Sequence, residues 1–540
     1  MGRCPLAIPL AILVLIIIIS DYSGIGHDIE PPIDKYAIYS CNIIDIHEAE
    51  TSGRLATARI DTINGIKIEP FKARLHLLDE TPIITAGQTI RFGGAINTIK
   101  PKIDIPDAID LNRDLRIRGI TFRAVIPDDS IHYVYDTAGL TATLQRANAA
   151  VISHLHSLPL SDLSIEMLSA MLLGKGEYLT NDSRELFSAS GLSHILALSG
   201  LHVGVIAMII SFLLWPLYFS RHVKTRLIIS ILTLWLYASF TGFIPSVTRA
   251  VIMTTIYLGG RILQRNTVSL NSLCLAAIVI LVIQPSDLYS LGFQLSFAAV
   301  LGIILWFPLI NQVNRRKHPL VYWLVSFPTL SISAMIFAGV ISTFYFHQFP
   351  LMFIVANIFV APLVPLFIIS GIISLAFSIS EPTNFFASCI EFIAKFVNSS
   401  PIANLTELYP PLWYVIFICI LLIILAISLH YKNRFFICES SLLIVGLNLF
   451  LIFTPPIEYP RHEAYLISEP SGSIIIERID NECKLYSPLK AFSERVAQKE
   501  LYELILQDFL TLRNVDSIQV MQIDAIPICL NEEKSVTLHK

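Results

Sequence analysis

The sequence predicts a polytopic α-helical membrane protein of about ten or eleven membrane segments, with a small extracytoplasmic all-β, OB-like domain and a short α+β tail. Three observations carry this. The 540 residues are 54% hydrophobic and only 15% charged, whereas soluble domains carry roughly 25% charged residues. Long runs free of Asp, Glu, Lys and Arg occupy 186–220, 227–248, 266–286, 288–314, 319–380, 408–431 and 440–457. Ahead of them, residues 36–126 change to short stretches rich in β-branched residues. The net charge of −4 gives no sign of a polyanionic partner. Eight cysteines, at 4, 41, 274, 389, 419, 438, 483 and 529, show no CxxC and no metal-ligand spacing, and only Cys41 falls in the first soluble region.

Within residues 1–22, the run from Pro5 to Ser20 is almost purely aliphatic and follows Arg3. A signal peptide also fits, but no small-residue cleavage pattern follows, so a retained membrane anchor is expected. The β domain is placed at 36–130, with strands YAIYSCNIIDI, LATARIDTI, IKIEPFKARLHLLD, GQTIRFGGAINTI and LRIRGITFRAVI. Asn64-Gly65 between two of them is the preferred dipeptide of a two-residue hairpin. Five strands in so short a stretch suggest a small barrel, and other small β folds stay open. Residues 137–185 read as connecting helices, a polar one over 137–161 and the amphipathic SIEMLSAMLLGKGEYL.

The membrane domain is expected over 186–454, and the run 319–380 must hold at least two spans. Arg221-Lys224-Arg226, Arg261-Arg265, Arg315-Arg316-Lys317 and Lys432-Arg434 should face the cytoplasm, which puts the β domain outside. Segments 246–260, with Arg249, and 384–400, with Glu391 and Lys395, leave the crossing parity open, and with it the side of the tail over 455–540. In that tail SGSIIIERI reads as a strand and SERVAQKELYELILQDFL as an amphipathic helix.

The residues 191–207, GLSHILALSGLHVGVIA, form an unusually polar membrane segment. They carry His194, His202, Ser193 and Ser199 along with three glycines. On one continuous helix the two imidazoles would stand roughly 80° apart in azimuth and about 12 Å apart along the axis, too far to share a metal ion. Gly200 and Gly204 form a small-xxx-small pattern that admits a close helix. Ser199-Gly200 is also a plausible helix break, tolerated at membrane depth only where protein or a water-filled cavity covers it. A single histidine there is explained by an ordinary hydrogen bond, but the combination points to function because polar groups are costly in lipid. Arg249 in FIPSVTRAVIM, Gln294 and Ser296 in LGFQLSFAAV, and Asn357 in VANIFVAPLVPL extend the polar set. Arg249 either snorkels at a helix end or meets a counter-charge, with Asp287 the nearest acid and an anionic substrate open.

Together these stretches resemble the ComEC family of competence proteins. The resemblance rests on SGLSHILALSGLHVG over 190–204, Ser246-Val-Thr-Arg249-Ala250, Gly292-Phe-Gln-Leu-Ser-Phe297, Gln348 to Pro350 with Asn357 and Pro362, and LRIRGITFRAVI. It covers roughly residues 36–410. It implies an inner-membrane channel for single-stranded DNA import during natural transformation, not an enzyme, with an OB-like domain outside and a polytopic competence domain as the pore. His194, Ser199, Gly200, His202, Gly204, Arg249, Gln294, Ser296 and Asn357 would line or pack the path. Many family members end in a metallo-β-lactamase-like domain with H-x-H-x-D-H, and no such motif stands here. His154-Leu-His156 is a partial lookalike, read as two helix-surface histidines. Degradation of the second strand is therefore assigned to a separate nuclease.

Residues 21–130 hold 13 Lys and Arg against 17 Asp and Glu, a net of −4, so composition does not support a DNA-binding domain. The local candidates are Arg113, Arg116, Arg118 and Arg123, weighed against a solvated strand face. No cofactor is expected, and no GxxxxGK[ST] appears. Single-stranded DNA, the lipid bilayer, and a cytoplasmic ATPase or strand-capturing protein are the expected partners, with a homodimer open. The rival readings are a secondary transporter of a small anion and a membrane-embedded enzyme that uses the His194 and His202 segment for acid–base work.

Overall fold

A computed structural model of the chain describes residues 36–48, 54–78, 84, 87–99, 115, 119–127, 130–136, 139–215, 223–264, 269–312, 318–399, 405, 408–453, 462–469, 472–487, 499, 502, 506–513, 515 and 518–522. The expected anchor over 1–22 lies outside these residues, as do Arg113, Arg116 and Arg118. The chain divides into two compact units, Met1–Ile96 with Arg123–Leu451, and Asn97–Phe122 with Ile452–Lys540.

The first unit opens with an antiparallel sheet. Its strands are β1 (Ala37–Glu48), β2 (Arg54–Ile63), β3 (Ile66–Leu77) and β4 (Gln88–Gly94). β7 (Ile131–Asp136) also belongs to this unit, whereas the two-residue β5 (Asn97–Thr98) falls in the second unit and β6 (Ile120–Ile126) runs across the boundary at Arg123. β2 pairs with β1 and β3, β1 with β4, and β4 with β7. The β2–β3 turn is the expected Asn64-Gly65, with φ of 51° and 79°, the two positive values a type I′ hairpin requires. Alternation puts Tyr39, Cys41, Ile60, Phe71, Ile90 and Phe92 on the buried face. Tyr39 stacks on Phe92 at 5.4 Å between ring centroids. The β domain runs beyond its expected end at 130, because Ile131–Asp136 adds an edge strand on β4. That stretch is too short for its alternation to announce itself.

The connecting helices are α1 (Leu140–Ser157), α2 (Asp162–Met171) and α3 (Asn181–Ala189). Ser161 and Thr180 cap α2 and α3 by accepting from the N–H groups of Ser164 and Ser183. His154 and His156 lie exposed on α1, as expected. Next come α4 (Ser193–Leu196), α5 (Gly200–Leu213), α6 (Val223–Phe240), α7 (Pro245–Ile262), α8 (Ser269–Ile283), α9 (Leu291–Ile310) and α10 (Pro319–Phe346). The membrane domain closes with α11 (Phe353–Phe377), α12 (Glu381–Asn398), α13 (Leu412–His430) and α14 (Arg434–Phe453). Among the described residues five helices are long and apolar enough to cross a bilayer: α6, α9, α10 from Leu324, α11 and α13.

Polar contacts fix which helix ends face the β domain. Gln145 of α1 donates to the Ile44 carbonyl of β1 at 3.4 Å, and Asn148 of α1 donates to the Phe240 carbonyl at 3.2 Å. Lys72 of β3 acts electrostatically on Asp287, in the Pro285–Tyr289 turn between α8 and α9. The ends of α6 and α8 therefore meet the β domain, while Lys224, Arg226 and Arg261 mark the opposite ends of α6 and α7. That is the polarity the basic residues predict.

α9 and α10 are antiparallel, with Asn311 donating to Ser326 Oγ at 3.0 Å. α11 and α12 form an out-and-back pair, because Phe349 and Leu405 share a two-way backbone bridge. α13 then starts beside the end of α10, where Tyr409 stacks on His347 at 4.3 Å. The segment containing Glu391 and Lys395 is this returning helix, and the two side chains pair at 2.7 Å. α14 runs back along α13, with Tyr414 donating to Asn448 Oδ1 at 2.8 Å. Its C-terminal end thus lies at the end of the helix bundle that faces the β domain.

In the second unit, β5 and β6 are joined by the Ile99 N–H to the Thr121 carbonyl at 2.7 Å. The tail forms β8 (His462–Glu469), β9 (Gly472–Ile479), β10 (Glu482–Ser487), α15 (Gln507–Leu512) and β11 (Ile518–Gln522). The sheet order is β11-β10-β9-β8, and β11 lies parallel to β10, so the helical stretch between them is a crossover. This is the expected α+β tail. β9 falls on SGSIIIERI, while most of SERVAQKELYELILQDFL lies outside the described residues.

Candidate functional site

The polar segment is not one helix. The chain leaves the helix at Ala197 and re-enters it at Gly200, with Ser199 extended at φ −124° and ψ 175°. Ser199 caps α5 reciprocally: its side chain accepts from the His202 N–H, and His202 Nδ1 accepts from the Ser199 N–H at 2.9 Å. With a donor facing Nδ1, the neutral ring carries its proton on Nε2. His202 is 1% exposed, and among the described residues Nε2 has no hydrogen-bond partner. A buried donor left unmet costs about 1–3 kcal/mol. The break also moves His194 off the line that a continuous helix would impose, to within electrostatic range of His202.

The motif stretches that are far apart in sequence close around this break. Ser246, at the start of α7, donates to the Leu198 carbonyl at 2.5 Å and so satisfies backbone that the break frees. Val247 and Val251 pack with Leu198 and Val203 beneath it. His194 is exposed, bonds the Gly191 carbonyl through Nδ1 at 3.3 Å, and stands 5.1 Å from the Phe353 ring. Its other hydrogen-bond neighbour is Asn357 on α11, whose Nδ2 donates to Ser331 Oγ of α10 at 2.8 Å. Gly191 holds φ at +73°, and a Cβ there would lie 2.8 Å from Pro350 Cβ. Both restrictions require glycine.

Arg249 is 6% exposed on α7 and does not snorkel. Its guanidinium lies over Gly292 at the start of α9, where a Cβ would come within 3.0 Å of Nη2. Arg249 and Lys72 both act on Asp287. Burial pushes the Asp287 carboxyl above its ordinary value, and the two cations pull it back down. Gln294 Nε2 donates to the Leu288 carbonyl at 3.0 Å and braces the same turn, while Ser296 is half-buried farther along α9.

Gly200 and Gly204 do not serve as expected. A Cβ on Gly204 would meet nothing within 4 Å, and one on Gly200 would make only ordinary contact with Ala250 at 3.9 Å. Among the glycines of the motif stretches, Gly191 and Gly292 are the ones that admit close neighbours. Arg123 is exposed on β6. Among the described residues no group of three His, Cys, Asp or Glu could hold a metal ion. Sequence reading missed the roles of Gly191, Ser246 and Gly292, because each is set by a partner distant in the chain.

A family model described as Competence protein matches residues 171–432. The chain is similar to ComE operon protein 3 of Bacillus subtilis, at 25% identity over 393 residues that cover 69% of this chain and 49% of the relative. It is similar to Recombination protein 2 of Haemophilus influenzae, at 27% identity over 209 residues covering 36% and 26% of the two chains. An uncharacterized protein of Aquifex aeolicus is 28% identical over 295 residues, 53% of this chain and 64% of the relative. The chain thus spans half or less of the length of the two named relatives. No solved structure matches it.

Proposed function

Since the chain belongs to the ComEC family of competence proteins through its membrane domain, we propose that it is the inner-membrane channel through which single-stranded DNA enters the cytoplasm during natural transformation. The supporting observation is that motif stretches far apart in sequence interlock around one broken helix, two of them on it directly and a third through Arg249. Ser246 holds Leu198, His194 meets Phe353 and Asn357, and Arg249 rests on Gly292. A broken helix braced by polar neighbours offers a moving strand replacements for water: the exposed imidazole of His194 and the first amides of α5, beside the break that the Ser199–His202 cap holds open. Such transport needs no covalent step. The driving force would come from a cytoplasmic ATPase or from capture of the arriving strand.

The test is transformation frequency in a deletion strain complemented with wild type or His202→Ala. Deletion should abolish transformation while DNA still reaches a DNase-resistant periplasmic pool. His202→Ala should fail to restore it at normal membrane levels. Unchanged transformation after deletion, in a competent host, would sink the transport reading.

A further inference from the structure

Asp287 is the one Asp or Glu between Glu185 and Glu381, a stretch in which Lys and Arg recur at the basic helix ends. A path for a polyanion gains from having no acids, because a carboxylate repels phosphate. The acid that is kept stands beside Arg249, the one buried cation of that stretch among the described residues. The local fold holds it there. In the Pro285–Tyr289 turn the Asp287 N–H donates to the Gln284 carbonyl at 3.1 Å, and the Ser290 N–H donates to the Asp287 carbonyl at 3.0 Å. Gln294 closes the turn from α9 through the Leu288 carbonyl. Gly292, on the first turn of α9, leaves the space in which the Arg249 guanidinium lies. Turn and arginine therefore share the start of one helix.

The β domain meets the same rim. Gln145 donates to the Ile44 carbonyl of β1 at 3.4 Å. A Cβ on Gly242, in the turn that leads into α7, would stand 3.5 Å from the Gln145 amide nitrogen. Lys72, exposed on β3, is the second cation that acts on the Asp287 carboxylate. We infer that Asp287 is a positioning residue of the path, one carboxylate that holds Arg249 at the mouth of the bundle and ties that mouth to β3 through Lys72. A buried arginine needs a counter-charge, and stripping one partner from such a pair is worse than removing both. Burial disfavours the ionised carboxylate while the two cations favour it, so the three groups depend on one another. Lys72 and Arg249 belong to the β domain and the helix bundle, and a shared carboxylate fixes the spacing between them. The inference rests on the transport reading for what Arg249 is positioned to do, but the pairing itself does not.

The test begins with the unmodified full-length protein in nanodiscs. Carbodiimide joins an amine to a carboxylate that it can touch. Mass spectrometry should find the Lys72–Asp287 link, with the Glu391–Lys395 pair at 2.7 Å as the internal control. Melting temperatures in one detergent then test the pair. Asp287→Asn and Arg249→Gln should each melt several degrees below wild type, and the double variant should recover most of that loss because it strands no charge. In a deletion strain, Asp287→Asn should transform roughly tenfold less than wild type at equal membrane levels, while Asp287→Glu, which keeps the charge, stays near it. A missing 72–287 link beside a formed 391–395 link, or additive losses in the double variant, would overturn the inference. Asp287→Asn that transforms as wild type, where deletion abolishes transformation, removes the positioning role and leaves the channel. A formed link and non-additive losses, with transformation indifferent to deletion, keep the pairing and remove the channel.

Discussion

Substituting the motif glycines one at a time separates packing from sequence pattern. Gly191→Ala meets two obstacles. At φ +73° an alanine carries a left-handed penalty of about 1–2 kcal/mol. Its Cβ would also stand 2.8 Å from Pro350 Cβ, and overpacking of this kind costs about 1–3 kcal/mol. Neither atom is the free end of a flexible side chain, so relief requires moving the start of α11 away from α4. The sum, about 2–5 kcal/mol, is a large part of the 5–15 kcal/mol or so by which a protein is stable. Gly204→Ala meets nothing within 4 Å and sits inside α5, where alanine is favoured over glycine by about 0.5–1 kcal/mol. Thermal unfolding of the purified variants in one detergent is the assay. Gly191→Ala should unfold well below wild type, and Gly204→Ala at or slightly above it. A destabilised Gly204→Ala beside an unaffected Gly191→Ala would refute the reasoning, and would restore Gly204 as a helix-packing position.

Three further expectations follow from other parts of the fold. A topology reporter fused after residue 453 should read as extracytoplasmic and one at Lys432 as cytoplasmic, because α11 and α12 return the chain to the end of α10; the reverse pattern would break the out-and-back assignment. Glu463→Gln should destabilise the tail by about 3–5 kcal/mol in denaturant unfolding, since the buried carboxylate pairs with Arg513 at 2.7 Å and Arg478 at 3.9 Å and its loss strands two buried cations; a neutral result would show that they are hydrated. Burial pushes the Cys483 thiol up to about 12 despite the nearby Arg478, so the stability it contributes is fully present below its ordinary value of 9.0 and is lost as pH rises toward 12. Maleimide labelling of Cys483 should accordingly stay slow in the folded protein at pH 9, and labelling at the rate of an open thiol would contradict its burial.

Local signals determined much of this protein. Charge-free runs set the membrane helices, because a bilayer excludes ionised groups whatever the fold. Asn64-Gly65 set its hairpin, because few dipeptides hold two positive φ values. The basic ends of α6 and α7 set the polarity, and the order of motifs carried the resemblance to the family whose model matches residues 171–432. Tertiary structure decided what depends on partners far away in the chain. His202 reads as a polar residue on a helix, but only the break at Ser199 turns its Nδ1 inward and leaves Nε2–H unmet. Arg249 reads equally well as a snorkelling side chain, until Gly292 opens a place for its guanidinium beside Asp287.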